Sequence, residues 1–189
     1  PTAVLAGEAD TAAQKAQSTD GTDGAYANGE DTKAPEGIAL MAANAADMPQ
    51  GTGTAEDPYL IGTKEELQWF RDTVNDGEPG ICAKLTANIK FKDGDGAWAP
   101  IGTEENQYTG TFDGNDYTIT FTYATAPTGM EKGWGLFGYI GSDGTVQALN
   151  MIINYFGWSG NSFKVPESGV LAAYNAGTIE RCTAINSHQ

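Results

Sequence analysis

The sequence has few of the side chains that metal and nucleophilic sites need. Its 189 residues include one histidine, His188, and two cysteines, Cys82 and Cys182. The histidine and cysteine ligand sets of zinc and iron sites cannot be assembled from so few residues. Because the imidazole lies one residue from the end, where termini are usually mobile, a Ser-His or Cys-His catalytic pair is not indicated either. We therefore expect no cofactor.

The two cysteines leave two interpretations open. They could close one disulfide, or they could remain free thiols that pack as small apolar side chains. Two cysteines do not make the disulfide framework of a small secreted domain, so we favour the reduced, buried state for Cys82 and Cys182.

Basic residues are also scarce, since 10 Lys and Arg stand against 25 Asp and Glu and the formal net charge is -15. A nucleic-acid duplex would repel such a chain, which excludes nucleic acid as a partner. The apolar runs are short and broken by Gly or Asn, well under the roughly 18 residues of a membrane helix. We expect no membrane insertion by this segment.

Composition divides the chain near Gly51. Residues 1–50 are rich in Ala, Gly, Thr and Asp and contain one aromatic residue, Tyr26. Such a segment buries too little surface to offset its ordering entropy, which predicts a flexible acidic leader. Its first six residues, ending Val-Leu-Ala, are either the remnant of a signal peptide or the start of an Ala-rich tail. Residues 51–189 are predicted to form one folded domain.

The only strong helix signal begins at Thr63. Thr63 is a good N-cap, acidic residues follow it in the first turn, and Leu67, Phe70 and Val74 are spaced three and four residues apart. This pattern predicts one amphipathic helix that ends before Gly77.

The chain after the helix is typical of short strands in a repeated unit. Ile119 and Phe121 alternate with threonines, as in a strand with one apolar face. The segments GLFGYIGSDGTVQALNM and GVLAAYNAGTIERCTAI resemble each other and begin 34 residues apart. A third, weaker copy is predicted at FDGNDYTITF, with Gly114 and Ile119 in the places of Gly144 and Val146. Repeated strand-turn-strand units are the sequence signature of a solenoid.

Several motifs, taken in order, resemble a known family. GTAEDPYLIGTKEELQWF, LTANIKF, WAPIG, YTGTFDGNDYTI and GLFGYIGSDGTVQALNM are similar to the GLUG-type repeat region of large surface proteins from Gram-positive gut bacteria. The resemblance covers about residues 51–185. It implies an all-β fold, a right-handed parallel β-helix whose N-terminal end is closed by the short helix. It also implies a secretion signal ahead of the domain and continuation beyond residue 189. The second copy departs from the family at Ala172 and Ala173, where glycine is preferred.

Two groups of side chains are candidate sites. Acidic side chains beside glycines could bind calcium, although Asp and Gly are also the residues that tight turns require, and we favour the turn interpretation. Exposed aromatic rings could hold a sugar or a protein partner, although one of them could instead belong to the core. The acidic candidates are Asp93, Asp95, Asp113 and Asp116, and the aromatic candidates are Trp134, Tyr155, Phe156 and Trp158.

These observations favour a non-catalytic, adhesin-like module that is secreted or displayed on the cell surface. Its expected partner is a host glycan or a host protein, with immunoglobulin as one form of the latter. The alternative is a β-helix enzyme that degrades polysaccharides, which requires two carboxylates that converge in one groove. The positions of the acidic side chains in the folded chain separate the two hypotheses.

Overall fold

The computed structural model describes residues 47–123, 135–155 and 169–188. Residues 1–46 of the predicted leader, which spans residues 1–50, lie outside the described residues. Three of the aromatic candidates, Trp134, Phe156 and Trp158, lie outside them as well.

The described residues form one helix and eleven short strands. The helix, α1, is Lys64–Asn75. The strands are β1 Tyr59–Ile61, β2 Ala83–Leu85, β3 Ile89–Phe91, β4 Thr111–Asp113, β5 Thr118–Tyr123, β6 Phe137–Ile140, β7 Thr145–Gln147, β8 Asn150–Tyr155, β9 Ala172–Asn175, β10 Thr178–Glu180 and β11 Thr183–His188.

Helix α1 forms for the reasons that its sequence suggests. The Thr63 Oγ1 accepts a hydrogen bond from the Glu66 amide at 3.1 Å, and the Glu66 carboxylate accepts one from the Thr63 amide at 3.0 Å. This reciprocal capping box satisfies donors that the first turn leaves unpaired. Leu67, Phe70 and Val74 are the buried face. The predicted helix is confirmed in its start, its face and its end.

The strands pair in parallel throughout and form three sheets. A five-stranded sheet has the order β1-β2-β4-β7-β10, a four-stranded sheet the order β11-β8-β5-β3, and a two-stranded sheet contains β6 and β9. From β4 onwards the chain enters the five-stranded, four-stranded and two-stranded sheets in turn and then returns to the first. The fold is therefore all-β, with parallel sheets and one short helix, as expected.

The register explains the repeat in the sequence and corrects one copy of it. Thr145 pairs with Thr178, and Val146 pairs with Ile179, so the two clear copies are neighbouring strands. The prediction that Ile119 takes the place of Val146 in a third copy was wrong, because the other strand neighbour of Val146 is Phe112. Ile119 instead pairs with Met151 in the four-stranded sheet. The FDGN turn resembles the turn before β7 in composition, but it follows β4 and connects two sheets.

The core lies between the sheets and is rich in aromatic rings. Phe91 and Phe121, neighbours in the four-stranded sheet, stack with their centroids 4.5 Å apart. The buried Trp98 lies 5.2 Å from Phe91, and its Nε1 donates to the Leu136 carbonyl at 3.2 Å. The guanidinium of Arg71, in α1, lies over the Trp98 ring, with its Cζ 4.9 Å from the ring centroid. These contacts join the helix to the strands and exclude water from one end of the core.

Both cysteines are free thiols, as we favoured. Cys82 is buried, whereas Cys182 is only half-buried. The Cys82 sulfur accepts a hydrogen bond from the Thr111 amide at 3.4 Å, and burial raises the pKa of the Cys182 thiol. The Cys182 thiol is therefore not disposed to act as a thiolate nucleophile at neutral pH.

Candidate functional site

A cleft of about 450 Å³ lies on the outer face of the five-stranded sheet. Its floor is a row of side chains that the register places side by side, one from each of β1, β2, β4 and β7: Leu60, Lys84, Asp113 and Gln147. These positions alternate with the buried Ala83, Phe112 and Val146. The alternation of a strand therefore turns this row outward. Thr111 adds a hydroxyl to the lining.

The loop before β1 forms one wall of the cleft, through Ala55 and Pro58. The loop is held to the sheet because the Cys82 amide donates to the Gly53 carbonyl at 2.7 Å. Gly53 has a φ of +74°, and a Cβ there would lie 2.4 Å from the Tyr59 ring. Only glycine has both this backbone freedom and no Cβ. The position of the loop before β1 therefore depends on Gly53.

The charged groups of the cleft form a single partly exposed pair. The Lys84 Nζ lies 3.7 Å from the Asp113 Oδ2, and the two side chains are 41% and 25% exposed. The other carboxylate oxygen of Asp113 accepts a hydrogen bond from the Asn115 amide at 2.9 Å. The turn thus orients the carboxylate. The cleft offers one cation, one anion, an amide and a hydroxyl beside the apolar Leu60 side chain, which suits a small polar ligand without net charge.

The acidic candidates are distributed over separate turns. Asp95 accepts hydrogen bonds from the Lys64 Nζ at 2.7 Å and from the Lys92 amide at 2.8 Å. Asp93 is exposed beside it, and Asp116 is exposed on the turn after β4. Within residues 47–123, 135–155 and 169–188, no three His, Cys, Asp or Glu side chains lie close enough together to hold a metal ion. Asp95 and Asp113 instead stabilise their own turns, as the turn interpretation expects.

The contact between Lys64 and Asp95 predicts a pH dependence of stability. The hydrogen bond from Lys64 is the main cause that lowers the pKa of the Asp95 carboxyl below its ordinary value. A carboxyl with a lowered pKa in the folded state contributes stability above its unfolded pKa and loses it as the pH falls through the folded pKa. Between pH 7 and pH 3, the melting temperature of the Asp95→Asn variant should therefore fall less than that of the unmodified protein.

Thermal unfolding monitored by circular dichroism at several pH values checks this expectation. The exposed Glu105→Gln change is the matched control, since it removes one carboxylate that has no ion pair among the described contacts. Equal acid sensitivity of Asp95→Asn and the unmodified protein would contradict the assignment.

The aromatic candidates stay predictions, because their side chains lie outside the described part of the chain. Tyr155 is the last residue of β8, and its backbone pairs in register with Tyr123 and His188. Its side chain, like Trp134, Phe156 and Trp158, lies outside the described residues.

Sequence reasoning singled out Asp113 for calcium and missed Lys84, Gln147 and Thr111. A local signal existed, because Lys84, Asp113 and Gln147 are polar residues that follow buried positions in β2, β4 and β7. Aligning the repeat on β4, rather than on β5, would have placed Asp113 and Gln147 in one row.

Two curated proteins are similar to this chain. A protein named Gly-rich membrane protein, from Evansella cellulosilytica, is 32% identical over 131 residues, which are 69% of this chain and 15% of that protein. Halomucin from Haloquadratum walsbyi is 31% identical over 143 residues, or 71% of this chain and 2% of halomucin. The chain thus spans a small part of each relative.

No family model matches the chain, and no solved structure matches it either. In the described part of the chain, α1 is too short and too polar to cross a bilayer, and no other helix there could do so.

Proposed function

We propose that this chain is a non-catalytic, adhesin-like module of a secreted or cell-surface protein, folded as a right-handed parallel β-solenoid, whose cleft binds a host glycan. The observation that carries the proposal is the cleft itself. It combines the Lys84–Asp113 pair, the Gln147 amide and the Thr111 hydroxyl over the apolar Leu60.

The order of the strands supports the solenoid. From β4 to β11 the chain enters the three sheets in rotation, and equivalent residues are 33 or 34 positions apart, as in Thr111, Thr145 and Thr178. Each turn of the chain then buries its apolar face against the next. A crossover between parallel strands of one sheet is right-handed in nearly all known cases, which supports that hand here.

The relatives support a location at the cell surface. One of them carries a name that places it in a membrane, and this chain matches only 15% of its length. The match to halomucin covers 2% of that protein. A segment whose likeness lies within much longer proteins fits a displayed part of a large surface molecule. The strongly acidic composition fits an exposed location as well.

The size of the cleft favours a glycan over a protein as the ligand. A volume of about 450 Å³ falls within the range of small-ligand sites. A stable protein partner, immunoglobulin included, would need roughly 800 Å² of contact surface on each side. The mixed donors and acceptors of the cleft match the hydroxyl groups of a sugar, while Leu60 and Pro58 add apolar surface.

The same lining weighs against the polysaccharide-degrading alternative. Glycoside hydrolysis needs two carboxyl groups that face each other across the scissile bond, roughly 5 to 9.5 Å apart. Asp113 is the one carboxylate among the residues that line the described cleft. Its oxygens face Lys84 and the Asn115 amide. A lone carboxylate in this environment is suited to accepting hydrogen bonds.

Removing charged groups of the cleft should weaken glycan binding. We expect Lys84→Ala and Asp113→Asn each to reduce affinity about tenfold or more, because a hydrogen bond to a charged group contributes about 1.5–3 kcal/mol. Binding is measured on an array of host N- and O-linked glycans and then by titration with the strongest glycan. Asp116→Asn is the matched control, since it alters an exposed aspartate that does not line the cleft.

Two results would contradict the proposal. Unchanged glycan affinity in both cleft variants would show that the cleft is not the site. Capture of a host protein from secretions, lost in the same variants and without any glycan binding, would show a protein ligand instead.

A further inference from the structure

The row of side chains in the cleft changes from apolar to charged along its length. In register from β1 to β4 the row reads Leu60, Lys84 and Asp113, with neighbouring strands about 4.8 Å apart. Leu60 is 38% exposed, a high value for a large aliphatic side chain. Ala55 and Pro58, in the loop before β1, also line the cleft. An apolar group, a cation and an anion therefore follow one another on three adjacent strands.

The two charges of this row lie too far apart for a hydrogen bond between them. The Lys84 Nζ is 3.7 Å from the Asp113 Oδ2. A hydrogen bond between such groups has a length of roughly 2.7–3.2 Å. The Asp113 Oδ1 accepts its hydrogen bond from the Asn115 amide, so Oδ2 is the oxygen that faces Lys84. A neutral group with one donor and one acceptor can therefore pair with both charges at once.

This order of groups is complementary to an acetamido group. A secondary acetamide carries an N–H donor, a C=O acceptor and a methyl group, and it has no charge. The Asp113 carboxylate can accept from its N–H, the Lys84 ammonium can donate to its C=O, and Leu60 can contact its methyl group. A sugar hydroxyl at the same place also has a donor and an acceptor, but it has no methyl group and would leave Leu60 uncovered.

Charge separates the neutral acetylated sugars from charged ones. The net charge of -15 repels the carboxylate of an acidic sugar. An amino sugar without its acetyl group is a cation, which would lie beside the Lys84 ammonium, and like charges in contact are unfavourable. The Gln147 amide and the Thr111 hydroxyl, which also line the cleft, remain for the hydroxyl groups of the sugar ring. The lining therefore favours a neutral sugar that carries an acetamido group.

We propose that the cleft recognises a neutral N-acetylated amino sugar by its acetamido group, with the methyl against Leu60 and the amide between Lys84 and Asp113. This inference rests on the proposed function, because it names the sugar class that the same cleft takes. It makes Leu60 the residue that distinguishes an acetylated amino sugar from the parent hexose.

The test compares two pairs of disaccharides whose members differ only in acetamido groups. N-acetyllactosamine carries an acetamido group where lactose has a hydroxyl, and N,N′-diacetylchitobiose differs from cellobiose in the same way. Titration of the whole chain with each disaccharide, followed by NMR, measures the four affinities. We expect the acetylated member of at least one pair to bind about tenfold more tightly, since it gains a buried methyl group and a hydrogen bond to a charged group.

The Leu60→Ser variant tests the contact with the methyl group. It should reduce the preference for the acetylated sugar to about threefold or less, because it removes apolar contact surface and keeps both charges. Ile185→Ser is the matched control, since it shortens an aliphatic side chain that is 47% exposed and does not line the cleft. It should keep the full preference. Circular dichroism confirms the fold of each variant.

Three outcomes would overturn the inference. They are no tighter binding of the acetylated member in either pair, a preference that Leu60→Ser leaves intact, and tighter binding of deacetylated chitobiose or of sialylated lactose than of the neutral acetylated sugars. Each of them leaves the proposed function standing if glycans of the host array still bind and Asp113→Asn weakens that binding. Absence of binding to the disaccharides and to the array alike would contradict both proposals.

Discussion

The Phe112→Ala variant should lose about 3–5 kcal/mol of its free energy of unfolding, the usual cost of removing a buried phenylalanine ring. Phe112 is fully buried in β4. Its ring centroid lies 5.8 Å from that of Phe70 in α1 and 5.5 Å from that of Phe137 in β6. One side chain therefore joins the helix, the five-stranded sheet and the two-stranded sheet, and its removal leaves a cavity where all three meet.

Urea unfolding monitored by circular dichroism measures this loss. Tyr174→Ala is the control, because Tyr174 is also an aromatic residue with a ring contact, to Tyr139 at 5.6 Å, but is 50% exposed. Its replacement should cost about 0.5–1.5 kcal/mol, the range of a ring pair. An equal loss in the two variants would contradict the assignment of Phe112 to a shared core.

The second large effect concerns the glycine before β7. In Gly144→Ala, the new Cβ would lie 2.4 Å from the Tyr108 carbonyl oxygen and 2.7 Å from a methyl group of Ile140. The next turn of the chain is equally close, because a Cβ at Gly177 would lie 2.2 Å from the Gly144 carbonyl oxygen. The backbones thus stack without room for a side chain. We expect a loss of about 1–3 kcal/mol, the typical cost of overpacking.

Gly80→Ala is the matched control for this change. The nearest atom to its new Cβ would be the Thr109 Oγ1 at 3.7 Å, an ordinary contact. A glycine whose backbone suits alanine gains about 0.4–1 kcal/mol from the loss of unfolded-state freedom. The two substitutions should therefore shift the urea midpoint in opposite directions. A stabilised Gly144→Ala variant would show that the turns are not stacked as described.

Local features of the fold could be predicted from the sequence because they depend on neighbouring residues. The cap at Thr63 and the spacing of Leu67 and Phe70 act within four positions, and the structure confirms the helix they indicate. The alternation around Ile119 and Phe121 acts within one strand and is likewise confirmed. Each signal is contained in a short window, so it does not depend on the rest of the chain.

The candidate site could not be found in this way because its residues meet only through the stacking of turns. Lys84, Asp113 and Gln147 are 29 and 34 positions apart, and they become neighbours only in the correct register. The sequence analysis aligned Gly114 and Ile119 with Gly144 and Val146, which paired β5 instead of β4 with β7. That alignment separated Asp113 from Gln147. The partner of a strand is set by pairing between distant parts of the chain. A turn composition such as FDGN does not identify that partner.

We expect the cleft to bind a glycan without cleaving it. The most direct measurement is titration of the chain with the strongest host glycan from the array, followed by mass spectrometry of the recovered glycan. We expect saturable binding that Asp113→Asn weakens and Asp116→Asn does not, with the glycan recovered intact. Cleavage products that form with the unmodified chain and disappear with Asp113→Asn would contradict it and would make the cleft an active site.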